Sequence, residues 1–143
     1  MPTELASDCC YLQFYIEYII AVQQKYGNGK DLPLCIMTSQ DTHELTMQLL
    51  QRNGYFGMKR SQLWVVPQGQ GVPALADNDA NLMLDPEQET RVWTKPHGHG
   101  DIHALLYEYK VVRDWKEKLG LEYMVLFQDT NGLAFHTLPL MLG

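Results

Sequence analysis

Three short stretches of this chain hold residue types able to do chemistry. In Lys95-Pro96-His97-Gly98-His99-Gly100-Asp101, a histidine sits between two glycines. Glycine lacks a Cβ, so the backbone there can approach a flat base or a phosphate with its N–H groups aimed at the ligand. His99, held between the glycines, can donate to a phosphate oxygen. In Val66-Pro67-Gln68-Gly69-Gln70-Gly71-Val72-Pro73, each glutamine carries an amide with a donor and an acceptor side by side. That pair complements the O4 and N3–H edge of uracil. In Phe127-Gln128-Asp129-Thr130-Asn131-Gly132-Leu133, an acid follows an apolar run. A hard cation such as Mg2+ binds at such a place through one or two carboxylates together with nucleotide phosphates.

The elements that must position these stretches alternate between helix and strand. Residues 8 to 26 read as an amphipathic helix, because Leu12, Tyr15, Ile16, Ile19 and Val22 recur at spacings of three and four. Gly27 suits a left-handed stop. Leu34 to Met37 is an unbroken apolar run of the length of a buried parallel strand. Asp41 and Glu44 have the spacing of a capping box, opening a helix through Leu45, Leu49 and Leu50 that ends near Gly54. A second strand is expected over Leu63 to Val66, which completes a β-α-β unit.

From Pro67 to Asp101 the chain is loop-rich, with part of a β-hairpin expected around Leu82 to Leu84 and Arg91 to Trp93. A helix is expected from Ile102 to Leu119, stopped by Gly120, and a third strand from Tyr123 to Phe127. The polar loops after Met37, Val66 and Phe127 would then lie at the carboxyl ends of strands, where ligands bind in open α/β sheets.

Composition narrows the classes. A chain of 143 residues with 45% apolar content has the size and material of one α/β domain. A formal charge of −6 argues against nucleic acid as partner, since such binders present clustered Lys and Arg. Tyr11 to Val22 is interrupted by Gln13 and Glu17 and is too short to span a bilayer, so no membrane role is expected. Three cysteines, two of them adjacent, form no paired framework, which points to a reduced, cytoplasmic setting.

The three motifs, in this order, resemble those of the UDP-sugar pyrophosphorylases, relatives of the UDP-glucose and UDP-N-acetylhexosamine pyrophosphorylases. KPHGHGDIHALLY, from Lys95 to Tyr107, and FQDTNGL, from Phe127 to Leu133, are similar to the non-selective UDP-sugar branch, and the similarity runs through most of residues 33 to 143. The resemblance implies a Rossmann-like (GT-A-like) nucleotidyltransferase fold with a mixed, mostly parallel sheet flanked by helices. It implies an enzyme that joins UTP to a sugar 1-phosphate, giving UDP-sugar and pyrophosphate with Mg2+. Carried over by position, Gln68 or Gln70 would read the uracil edge and the Gly98 backbone would contact the base. His99 would face the phosphate or sugar end, Asp129 would help hold Mg2+, and Pro73, Gly100, Asp101 and Asn131 would surround the nucleotide.

Members of that family are several times longer. Nothing before Gly54 resembles their glycine-rich triphosphate loop, and their sugar-recognition and C-terminal parts follow the FQDTNGL region. The expectation for residues 1–143 is an internal piece of the uridylyltransferase catalytic domain, binding uridine nucleotide weakly and inactive alone. Two other readings stand beside it. His97, His99, Asp101 and His103 approximate the His-x-His-x-Asp-His pattern of metallo-β-lactamase-like zinc hydrolases, although Ile102 separates the last two. A non-catalytic piece with bared apolar surface would instead self-associate.

Overall fold

The computed structural model describes residues 9–69 and 71–142. Helix α1, Tyr11–Tyr26, opens with the Cys10 Sγ accepting from the Gln13 N–H and buries Leu12, Tyr15 and Ile16. Strand β1, Leu34–Thr38, leads into α2, Gln40–Arg52, and two short 3-10 turns then lead into β2, Leu63–Pro67. β1 and β2 pair in parallel, Leu34 opposite Leu63 and Thr38 opposite Pro67, so the expected β-α-β unit is present.

Alternation along these two strands divides the molecule into layers, because successive side chains of a strand point to opposite faces. Leu34, Ile36, Leu63 and Val65 pack with Leu12 and Ile16 of α1 and Leu50 of α2. Cys35 and Trp64 point the other way, against Leu106, Val111 and Trp115. Those last residues belong to α3, Asp101–Glu108, and α4, Val111–Leu119, so helices cover both faces of the parallel pair. Trp64 meets Trp115 edge to face at 5.8 Å.

Between β2 and α3 the chain folds on itself. β4, Leu84–Asp85, pairs antiparallel with β5, Gln88–Val92, and this hairpin nests inside an outer antiparallel pair, β3, Val72–Pro73, with β6, Thr94–Lys95. The hairpin expected around Leu82 to Leu84 and Arg91 to Trp93 is therefore formed. The sheet content is not mostly parallel, however: among the described residues only β1–β2 runs parallel, and the other two pairs are antiparallel. The short turn between Asp85 and Gln88 can return a strand only antiparallel, and the outer pair continues the same hairpin, whereas a parallel partner requires a long crossover such as α2.

The third strand expected over Tyr123 to Phe127 is not formed. This run is extended chain outside any ladder, with Tyr123 81% exposed and Leu126 47% exposed. Its apolarity suits a buried strand, but no described strand lies alongside to share N–H and C=O groups.

Local chemistry also differs from the simplest reading in three places. Gly27 is right-handed, not left-handed, with φ −72°; it is needed because a Cβ there would collide with the Gln23 carbonyl oxygen and crowd that of Lys30 at 2.8 Å. The box opening α2 is made by Ser39 and Thr42, two residues earlier than Asp41 and Glu44. The helix expected from Ile102 to Leu119 breaks at Lys110, which adopts φ 58° and separates α3 from α4. Neither Gly nor Pro marks that break, so periodicity alone could not locate it. Gly120 does stop α4 in the left-handed region, with φ 65°.

The last element is a further helix, α5, Ala134–Leu142. Phe135 anchors it: its ring stacks on Tyr18 at 4.4 Å and lies 5.4 Å from Tyr15 and 5.1 Å from Phe127. Pro139 has no N–H to give the Phe135 carbonyl four residues back. The Tyr18 hydroxyl donates to that carbonyl instead, at 3.3 Å.

Candidate functional site

The parallel ladder carries Gln68 to the end of the sheet. Its backbone N–H donates to the Thr38 carbonyl at 2.7 Å, extending the β1–β2 pairing one residue past Pro67. From there the side-chain Nε2 donates to the Gly98 carbonyl at 3.0 Å and to the Asp101 Oδ2 at 3.3 Å. A carbonyl and a carboxylate only accept, so the nitrogen of the amide must be the atom facing them. The two loops that sequence places thirty residues apart are thus one site. They meet again at Val72 opposite Lys95, where Gly71 runs so close to the Lys95 backbone that a Cβ would collide with it. Pro73 lies beyond, in β3 opposite Thr94 and exposed. Gln70, the other candidate for the base edge, lies outside the described residues.

Within the glycine turn the two glycines differ. Gly98 has φ 141°, a conformation L side chains rarely adopt, so its identity follows from backbone shape. Gly100 has φ −61° and open space where a Cβ would stand, so nothing within the described chain requires glycine there. Across the turn, His97 donates from Nδ1 to the Asp101 Oδ1 at 2.7 Å. Asp101 opens α3 and takes one bond on each carboxylate oxygen, from His97 and from Gln68. His99 is exposed, and its Nε2 lies 3.3 Å from the Gln128 side-chain nitrogen, which brings the third motif to the same place.

The Gln128 to Asn131 turn is held from below by α1. The Tyr15 hydroxyl donates to the Asp129 carbonyl at 2.6 Å, while the Tyr15 ring packs edge-on against Phe127 at 5.4 Å. Burial, and next the nearby Asp129 charge, push the Tyr15 phenol above its ordinary pKa. The Asp129 carboxylate is on an exposed residue. Asn131 is used structurally, its Oδ1 accepting from the Leu133 N–H at 3.2 Å at the approach to α5. A cleft of 330 Å3 opens beside this turn, lined by Val125, Gln128, Asn131, Phe135 and Leu138 among others. Its lining is largely apolar, and it adjoins His99 only through Gln128.

The zinc arrangement is not assembled. Among the described residues no group of three His, Cys, Asp or Glu side chains could hold a metal ion. His97 and Asp101 bond to each other, His99 turns to Gln128, and His103 is exposed on α3.

The profile of the UTP–glucose-1-phosphate uridylyltransferase family matches residues 3–135. The chain belongs to that family. Within the UTP–glucose-1-phosphate uridylyltransferase family it is 46% identical to a UDP-sugar pyrophosphorylase of Arabidopsis thaliana and 47% identical to one of Oryza sativa subsp. indica, each across 100% of this chain. It spans 24% of the length of either relative. In shape it is similar to a putative UDP-N-acetylglucosamine pyrophosphorylase of Entamoeba histolytica, with a TM-score of 0.61 over 76% of this chain and 27% of that one, at 20% identity. A UDP-N-acetylglucosamine pyrophosphorylase of Trypanosoma brucei gives a TM-score of 0.56 at 25% identity, over 71% of this chain and 20% of that one.

In this uridylyltransferase-family chain the three loops carry a sequence pattern, whereas the contacts that clasp them do not. Helix periodicity places Tyr15 on the apolar face of α1, while its hydroxyl reaches a loop 114 residues away. The His97–Asp101 bond has a sequence signal, a spacing of four at a helix start. Among the described residues no helix is long and apolar enough to cross a membrane.

Proposed function

We propose that this chain forms the uridine end of the active site of an enzyme that transfers a uridylyl group from UTP to a sugar 1-phosphate, releasing pyrophosphate. The supporting observation is the Gln68 amide bonded to the Gly98 carbonyl, which joins two distant glycine-rich loops that form one slot in this reading. In this reading the slot takes the uracil ring edge-on, and the scaffold is the nucleotide half of a GT-A-like domain, with β1–β2 and their crossover helix as its parallel core. Glycine at 100, which the described chain itself does not require, is accounted for by ligand passing over it. His99, with one ring nitrogen at Gln128, has the other left to donate to a phosphate oxygen. In the transfer, an oxygen of the sugar phosphate attacks the α-phosphorus of UTP, and the bond to pyrophosphate breaks. No covalent nucleophile is needed, so the chain's task is to position anions and offset charge.

Asp129 is an exposed acid on the turn that Gln128 joins to His99, and among the described residues it belongs to no group of three metal-ligating side chains. That donor set fits Mg2+ held mainly by phosphates and water with one protein carboxylate. Bound there, the ion would supply charge neutralisation for the phosphates. Asn131 and Pro73 would border the nucleotide, and Asn131 would act by shaping the turn.

Saturation-transfer NMR on the 143-residue chain with UTP and with CTP tests the reading. Transfer to the uracil protons of UTP, stronger than to cytosine, is the expected result; absence of transfer to either nucleotide would overturn it. A second property of the chain is favoured by the exposure of Tyr123, Leu126 and Leu133: self-association through exposed apolar side chains.

A further inference from the structure

Both hydrogens of the Gln68 amide nitrogen are engaged inside the protein, one toward Gly98 and one toward Asp101. The side-by-side donor and acceptor that a free glutamine offers are therefore not both available. Among the described residues no donor reaches Gln68 Oε1, and the side chain is only half-buried. What the slot can present to a ligand is an acceptor.

We infer that Asp101 is a specificity-positioning residue: with the Gly98 carbonyl it locks the Gln68 amide so that only Oε1 meets the base, and this selects uracil over cytosine. The inference rests on Gln68 reading the base. Uracil carries a hydrogen on N3 and donates it to an acceptor. Cytosine in the same frame presents a bare N3, whose lone pair would face the Oε1 lone pair, leaving both groups unsatisfied. An amide free to rotate would serve cytosine equally well, by turning Nε2 toward N3. Asp101 is in turn kept in place by His97, which bonds its other oxygen at 2.7 Å. The lock is thus a chain from His97 through Asp101 to Gln68, and no member of it except Gln68 need touch the base.

Asp101→Asn tests this with almost no change of shape. If His97 keeps its bond to the remaining side-chain oxygen, the new amide nitrogen faces Gln68 Nε2, donor against donor, and the lock is opposed. Titrating the 143-residue chain with UTP and with CTP should show the affinity ratio falling by about tenfold, the order of one hydrogen bond. Asp101→Glu, which keeps the carboxylate, should restore much of the ratio. If Asp101→Asn weakens both nucleotides equally, Asp101 is merely structural and the inference fails, while the base-reading role of Gln68 survives. If the unsubstituted chain itself does not prefer UTP, both fail. The unsubstituted chain gives a second check that no variant can confuse. The Gln68 side-chain N–H resonances should stay hydrogen-bonded and nearly unmoved as UTP is added, and a large shift showing that Nε2 turns to the base would overturn the lock.

Discussion

The Tyr15 hydroxyl donates to the Asp129 carbonyl at 2.6 Å, tying the first helix to the last of the site loops. The bond fixes the height of the Gln128–Asp129 turn, and with it the neighbour of His99. Tyr15→Phe keeps the ring contacts with Phe127 and Phe135 and removes only the hydroxyl. Urea denaturation should show a loss of about 1 kcal/mol, the usual value of one hydrogen bond. A loss of nothing would mean the turn holds itself.

Gly98 and Gly100 should respond differently to alanine. At Gly98 the positive φ strains any side chain, so Gly98→Ala should cost about 1–3 kcal/mol and lower the melting temperature. At Gly100 the backbone is right-handed and a methyl group has room, so Gly100→Ala should leave melting unchanged within error. Under the proposed function it should still weaken UTP, since the methyl group would occupy the path of the ligand. Unchanged UTP affinity in Gly100→Ala would argue against close approach of ligand at that position.

Burial pushes the Cys35 thiol up to about 11. The folded chain therefore holds this proton more firmly than the unfolded chain does. The resulting stability is present in full below the ordinary thiol value of 9.0 and is lost as pH rises from there through about 11. Comparing denaturation midpoints of the chain and Cys35→Ala between pH 8 and pH 11 isolates this contribution from other titrating groups, and the two curves should converge toward the alkaline end. Alkylation of Cys35 should likewise be slow at neutral pH, where almost none of it is thiolate.

Leu50 is completely buried where α2 meets the parallel strands and α1. Leu50→Ala removes apolar contacts and leaves a cavity, at a cost of about 2–5 kcal/mol. Because α2 is the crossover that sets β1 and β2 in register, the same change should loosen Gln68. Hydrogen exchange of the Gln68 N–H bonded to Thr38 should accelerate along with global unfolding.

The run from Tyr123 to Leu126 should make the chain associate. Sedimentation velocity is expected to show weight-average mass rising with concentration, and Tyr123→Lys together with Leu126→Lys should reduce that rise. A concentration-independent monomer in the unsubstituted chain would remove the case for a sticky face.

Local pattern along the chain carries part of the fold. The 3.6 spacing through Leu12, Ile16 and Ile19 specified a helix, and the apolar runs at Leu34 and Leu63 with a helix between them specified a parallel pair. Motif order identified the family and singled out the loops of the candidate site. Which atoms of those loops face each other depends on long-range packing. The Gln68 amide, free in sequence, is committed by two acceptors thirty or more residues away, and the His97–Asp101 bond turns a ligand-like pattern into a clasp. The Tyr123 run shows the converse. Apolar content sufficed to make a strand plausible, but strand formation depends on a neighbour's unpaired backbone groups, which no pattern within the run itself can reveal.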